Sequence, residues 1–190
     1  VDTETTGLNP RRDRLCVVQI YDGEEEYAAV RLDRENPRAA TNLTELLQAN
    51  QREKVSPKLI FHHALFDMGF LMVNLELAFY PGFVYCTRLG NRVARTAAPK
   101  HSLVNVVEDL CMVKLNKTEQ TSDWGAETFT PQQLEYMKQD VLYLHEVKDR
   151  QEEIALRENR LDILRTLQTA LPALALAEVA EFGLGIYGYQ

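Results

Sequence analysis

The sequence predicts an α/β fold: a mixed five-stranded sheet flanked by helices, with a mostly helical C-terminal part. Strand-length runs of β-branched and apolar residues crowd the first half, and apolar residues at helical spacing fill the second. No repeat, low-complexity tract or Gly/Ser-rich linker interrupts the 190 residues, so one domain spanning 1–190 is the economical reading.

Val1 to Thr5 opens as a strand and Arg14 to Tyr21 is the second. Asp22-Gly23 is a favoured turn, and Glu26 to Leu32 returns as the third. Thr41 to Gln51 carries Leu43, Leu46 and Leu47 at helical spacing. Lys58 to His62 reads as a short buried strand, followed by a helix through Asp67, Phe70, Leu71 and Asn74; Gly82 to Cys86 is the fifth strand. Helices are then expected over 87–96, 101–112 and 131–168. The last has a marked start, with Thr130 as N-cap, Pro131 at the first helical position and Gln133 completing a capping box. Leu134, Met137, Val141 and Leu144 are expected to face the core, with Tyr136 and Asp140 stacked one turn apart beside them.

Composition narrows the function classes. At 45% apolar and 26% charged residues the chain is an ordinary globular one. Its longest apolar run, Ala170 to Ala177, has eight residues and a proline inside, so no membrane span is expected, and no signal peptide opens the chain. Three cysteines, Cys16, Cys86 and Cys111, lie far apart without CxxC spacing. They support neither a disulfide framework nor a zinc site and point to a reducing cytoplasm. With 21 Lys+Arg against 28 Asp+Glu, the net charge of −7 disfavours gripping long nucleic acid over the whole surface.

Four acids stand at the edges of apolar segments. Asp2 and Glu4 in a strand project from one face, because strand side chains alternate. Two carboxylates that close repel unless a cation lies between them, and an all-oxygen set suits Mg²⁺ or Mn²⁺; alone, a DxE pair is better read as a solvated strand face. Asp67 lies where a strand passes into a helix among Leu65, Phe66 and Phe70, so it is a partly buried acid or a helix N-terminal charge. Asp140 follows Tyr136 by one turn and could instead be a surface acid paired with Lys138 or Lys148.

Taken together, DxE, D and YxxxD resemble the 3′–5′ exonucleases of the DEDD superfamily, in the branch where a tyrosine precedes the last Asp. Asp2-Thr3-Glu4-Thr5-Thr6-Gly7-Leu8 matches the first motif, His62-His63-Ala64-Leu65-Phe66-Asp67 the second, and Tyr136-Met137-Lys138-Gln139-Asp140-Val141-Leu142-Tyr143-Leu144 the third. Lys117 to Trp124 (KTEQTSDW) is similar to a segment of ribonuclease D relatives. Two departures stand out. His63 occupies a position that is usually Asn, and only Val1 precedes Asp2, so more N-terminal sequence is expected in the native protein.

The resemblance implies a ribonuclease H-like fold and two divalent cations, Mg²⁺ or Mn²⁺, held by Asp2, Glu4, Asp67 and Asp140 against the scissile phosphate. Tyr136 then positions the attacking water, since a tyrosine pKa near ~10 makes a poor base. Thr5 and Gly7 would contact the terminal nucleotide, and Leu8 sits where relatives place an apolar wedge between the last two bases. His63 would donate a hydrogen bond to substrate, while His62 is given no catalytic role. Arg88, Arg92 and Arg95 share a helix face and, with Lys100, Lys114 and Lys117, are the candidates for holding phosphate; a solvated basic face is the alternative. Trp124 is expected to pack rather than stack on a base.

Only 46 residues follow Leu144, which is expected to leave no room for the accessory domains of full-length ribonuclease D. The chain is therefore more similar to nanoRNase C-type enzymes, which clear dinucleotides and very short oligoribonucleotides as ring-like homo-oligomers such as octamers. The apolar tail, Leu171 through Tyr187, fits an interface between copies or intrachain packing equally. The alternatives are a broader ribonuclease D-like exonuclease on longer RNA or single-stranded DNA, and an inactive nucleic-acid-binding module.

Overall fold

Alternation along two short strands sets the layers. In the computed structural model, which describes residues 1–49, 51, 59–116, 118–119 and 122–182, β4 (Leu59–Phe61) pairs in parallel with β5 (Val84–Cys86). Leu59, Phe61, Val84 and Cys86 point into one core cluster, and Ile60 and Tyr85 into another. Strands buried on both faces are the signature of a sheet covered by helices on each side. An antiparallel ladder completes the strand set: β1 (Asp2–Thr5), β2 (Leu15–Tyr21) and β3 (Tyr27–Arg31), in the order β1-β2-β3. All five expected strands are present, divided between these two ladders. The Val1 nitrogen donates to the Ile60 carbonyl at 2.7 Å and so brings β1 alongside β4.

Among the described residues, eight α-helices wrap the strands: α1 (Thr41–Ala49), α2 (Ala64–Leu75), α3 (Thr87–Ala94), α4 (Leu103–Cys111), α5 (Pro131–Leu142), α6 (Leu144–Arg157), α7 (Leu161–Thr169) and α8 (Leu171–Val179). The first core packs α1, α2 and α8 against the strands through Leu47, Phe70, Leu71, Leu171 and Ala175. The second gathers α4, α6 and α7 through Val106, Val107, Val147 and Leu164. Cys16, Cys86 and Cys111 are all free thiols. Among the described residues, no helix is long and apolar enough to cross a membrane.

Two expectations need correction. The span 131–168 is three helices. The first break is at Tyr143, whose backbone (φ −100°, ψ −1°) ends α5 and opens α6. The second is at Asn159, whose positive φ of 56° lets the Arg160 N–H close a 2.7 Å bond onto the Ala155 carbonyl. Asparagine tolerates that left-handed cap, which stops the helix. Leu134 is also 48% exposed, and Gln133 turns inward in its place, because the Gln133 carboxamide accepts the Thr130 N–H at 2.8 Å in the capping box. Met137, Val141 and Leu144 are buried as expected.

Candidate active site

β1 places Asp2 and Glu4 on one face, and α5 brings Asp140 to them. One carboxylate oxygen from each of these three lies within 4.8 Å of the other two. Asp67, in the first turn of α2, reaches the intervening residue of β1. It accepts the Thr3 hydroxyl at 2.7 Å and also the Thr3 backbone amide. Gln19, which faces Asp2 across the β1–β2 ladder, donates from Nε2 to Glu4 Oε1 at 3.2 Å. That ladder shifts register between Glu4 and Thr5, and such irregularities re-aim chain at the edge of sites. All four acids and Tyr136 line one cavity of about 710 Å³.

Burial and mutual repulsion dominate the titration of these acids, against an opposing pull from the Val1 ammonium on Asp2 and Asp67. Burial raises Asp2 well above the usual carboxylate range, and the charges of Asp67, Asp140 and Glu4 push it further. Glu4 rises to about 9, through burial and then Asp140, against the opposing Gln19 hydrogen bond. Asp67 rises to about 7 through burial, with the Thr3 hydroxyl pulling the other way. Burial and the neighbouring Asp140, to which its hydroxyl donates, hold the Tyr136 phenol protonated far above neutrality. Buried anions that close need cations or protons. An all-oxygen donor set fits a hard divalent cation such as Mg²⁺ or Mn²⁺.

The same cavity is also lined by basic residues. Arg88 and Arg92 extend from α3 into the cavity, joined by His63, His101 and Ser102. The start of α3 is held by two buried glutamines. Gln151 of α6 donates to the Thr87 carbonyl at 2.9 Å, and Gln168 of α7 bonds both the N–H (2.8 Å) and the carbonyl (3.1 Å) of Cys86. His62 ties the same corner together, with Nδ1 2.8 Å from the Thr87 hydroxyl and Nε2 3.1 Å from the His101 carbonyl, a structural position. His63 caps α2 with φ 99°, a left-handed conformation that asparagine and histidine tolerate better than most residues. Partial burial, then Arg88 and Arg92, lower the His63 pKa below its ordinary value, so near neutral pH it offers a hydrogen bond without charge.

Arg95 is a correction. It lies at the C-cap of α3, where the chain leaves the helix, and it pairs with Asp109 at 2.8 Å without lining the cavity. Lys100 does not line the cavity either, and Lys114 approaches Glu108 at 3.8 Å. Lys117 lies outside the described residues. Lys148 pairs with Asp149 and Glu152, and Asp140 with Tyr136, so Asp140 is not a surface acid paired with Lys148.

The loop after β1 hangs over the cavity. The Thr5 hydroxyl is spent inside it, on the Gly7 carbonyl at 2.6 Å, and a Cβ on Gly7 would meet Asp13 Oδ2 at 2.2 Å. Both residues therefore shape the loop as well as line the cavity. Its tip is Leu8, 82% exposed, with Phe66 on the facing helix. Arg11 Nε donates to the Val179 carbonyl at 2.6 Å, which ties the loop to the end of α8.

This geometry agrees with what comparison finds. A model of the 3′–5′ exonuclease family matches residues 1–154. The chain belongs to that family. DNA polymerase I of Aquifex aeolicus (strain VF5) is 31% identical over 147 residues, covering 77% of this chain and 22% of the polymerase, so the chain spans about a fifth of that relative. Among solved structures, NrnC of Brucella melitensis superposes with a TM-score of 0.88 at 34% identity, covering 100% of this chain and 88% of NrnC. NrnC has also been solved bound to pGG and with bound Mg²⁺. Escherichia coli RNase D, an exoribonuclease involved in structured RNA processing, shares the fold alone, with a TM-score of 0.74 and 20% identity over 92% of this chain and 44% of that one. The ribonuclease H-like fold and the exonuclease activity class follow from these matches.

Several residues of this candidate site escaped sequence reasoning. Thr3 and Gln19 brace Asp67 and Glu4, and the alternation and pairing of β1 and β2 could have suggested Gln19. His101 and Ser102 come from a segment with no motif signal, and Ser122 from the 117–124 segment without having been singled out. Trp124 packs as expected, 5.9 Å from the Tyr136 ring and 6.0 Å from Phe129, although it also lines the cavity.

Proposed function

We propose that the exonuclease removes nucleotides from the 3′ ends of dinucleotides and very short single-stranded oligoribonucleotides, releasing nucleoside 5′-monophosphates. The observation that carries this reading is the presence of acidic and basic residues in the lining of one cavity of about 710 Å³. That size falls within the ~300–1,000 Å³ range of clefts that engulf small molecules, which suits a short substrate better than a long strand. The 34% identity to NrnC, a protein seen with pGG, supports the same substrate class.

Asp2, Glu4, Asp67 and Asp140 would hold two divalent cations, Mg²⁺ or Mn²⁺. Bound there, such ions lower the pKa of water and stabilise the attacking and leaving oxygens of an in-line displacement. Tyr136, kept protonated, orients the nucleophile by hydrogen bonding and does not remove its proton. Arg88 and Arg92 take the phosphate at the far end of the substrate, and His63 donates a neutral hydrogen bond beside them. Leu8 and Phe66 supply apolar surface to the terminal bases, on a loop shaped by Thr5 and Gly7. Residues 1–190 act as one domain, an assignment favoured by Gln168 and Ala175, which α7 and α8 bury in the same body. Exposed Leu156, Ile163, Leu167, Leu176 and Phe182 favour a homo-oligomer, which light scattering would reveal as a mass several times the monomer. The free thiols suit a cytoplasmic enzyme.

The test offers RNA of two, seven and twenty nucleotides, and matched DNA, with Mg²⁺ or Mn²⁺. Fastest turnover of the dinucleotide is expected. Preference for the longest RNA, or for DNA, would favour the broader ribonuclease D-like activity, and no turnover with either metal would sink the catalytic reading.

A further inference from the structure

Trp124, which lines the cavity of the acids, also lines a smaller groove of about 200 Å³. Arg14, Arg31 and Arg34 line it together with Glu127, and the Asp123 carboxylate approaches the same Gly125 as Arg14 Nη2. Three guanidiniums around so small a space are unusual in a chain of net charge −7. Two of them brace the opposite wall through the backbone. Arg14 Nη2 donates to the Gly125 carbonyl at 3.4 Å, and Arg31 Nη1 donates to the Glu127 carbonyl. Arg31 also stands 5.8 Å from the centroid of the Phe129 ring. A guanidinium carries five N–H donors, so each of these keeps most of its capacity. Arg34 forms no hydrogen bond or ion pair among the described residues. The indole Nε1 of Trp124 is likewise without a partner among them, although that side chain is only 5% exposed.

Clustered guanidiniums are satisfied by an oxyanion, and the buried Trp124, whose Nε1 has no partner among the described residues, is part of the same lining. Arginine forks match phosphate oxygens in pairs, and the groove is too small for a whole nucleotide. We propose that the Arg14–Arg31–Arg34 groove beside Trp124 is a second anion site that binds a phosphate group. Two sources share that chemistry: a free phosphomonoester such as a 5′-mononucleotide, and a phosphodiester of an RNA strand. This site stands independently of the exonuclease reading, because its occupancy is measurable without catalysis.

Trp124 is the only tryptophan of the chain and lines both the groove and the larger cavity, so its fluorescence reports on either and the variants separate the two. The experiment titrates the EDTA-treated protein with inorganic phosphate, 5′-AMP and a ten-nucleotide RNA, with calorimetry alongside to register binding that leaves fluorescence unchanged. Arg34→Ser removes the unpartnered guanidinium, and the double variant Arg88→Gln/Arg92→Gln disables the basic wall of the catalytic cavity. Saturable binding is expected, weakened at least tenfold in Arg34→Ser and less than threefold in the double variant, with dinucleotide cleavage unchanged in Arg34→Ser. Binding of phosphate and 5′-AMP would identify a phosphomonoester as the occupant, and binding of the RNA alone would identify the strand. No binding of any probe, or binding that Arg34→Ser leaves intact, would overturn the proposal.

Discussion

The two walls of the catalytic cavity are built in opposite ways. The acidic wall is buried and braced: Glu4 and Asp67 are 8% and 3% exposed, and each has a named hydrogen-bond donor, Gln19 and Thr3. The basic wall is open. Arg88 and Arg92 stand on a helix whose backbone is pinned by Gln151 and Gln168, while their side chains face the cavity. Geometry on the first wall must be held before a substrate arrives, since coordination tolerates little slack. On the second, long side chains can adjust to a phosphate, so the fold needs only to fix where they begin.

That contrast breaks most sharply at Asp140. Asp140→Asn should lower kcat on the order of a thousandfold, because an incomplete acid set holds a cation loosely and aligns it poorly. It should also raise the melting temperature of the metal-free protein, since it removes one of the charges that raise Asp2 and Glu4. An active variant would remove Asp140 from the site. On the other wall, Arg88→Ala or Arg92→Ala should cost about 10–100-fold in kcat/KM, mainly through KM, as expected for ~1.5–3 kcal/mol hydrogen bonds to charged groups. A loss confined to kcat would place these arginines at the reacting phosphate instead.

Tyr136→Phe should reduce kcat by about tenfold or more with KM nearly unchanged, since a positioned hydrogen bond is lost and no base is removed. The pH dependence of stability sharpens the acidic wall further. Folded-state pKa values of about 9 for Glu4 and about 7 for Asp67 lie above the ordinary values of 4.5 and 3.8. The folded chain therefore holds protons that the unfolded chain has released, and the metal-free protein loses stability as pH rises across that window. Saturating Mg²⁺ or Mn²⁺ should restore ~5–10 °C of melting temperature at pH 8 and less at pH 5. A melting temperature in EDTA that stays flat between those pH values would contradict the crowded-acid picture. The smallest effect is expected at Arg95→Ala, with less than about twofold change in turnover and ~0.2–1 kcal/mol of stability from its ion pair with Asp109.

Legibility in the sequence followed the same division. Asp2 and Glu4 share a face because a strand alternates, and Tyr136 and Asp140 stack because a helix repeats, so local periodicity sufficed for both. The capping box at Thr130 was legible for the same reason. Helix continuity past Tyr143 and Asn159 was not, because apolar spacing persists through both breaks while backbone geometry ends the helices. Arg95 shares the helical spacing of Arg88 and Arg92, yet the chain leaves α3 at that residue and Asp109 captures the side chain. Periodicity carries no information about where a helix stops within the last turn.

By itself the sequence determined the acid set, the tyrosine one turn before Asp140, the strand and helix types, and through its motifs the kind of chemistry. Those depend on spacing within single elements. Tertiary structure alone decided that Gln19 and Thr3 brace the carboxylates, that His101 and Ser102 join Arg88 and Arg92, and that Arg14, Arg31 and Arg34 meet around Trp124. Each of those groupings unites residues from different elements. No period within one segment encodes it, because the side chains meet only when strands pair and helices close over the core.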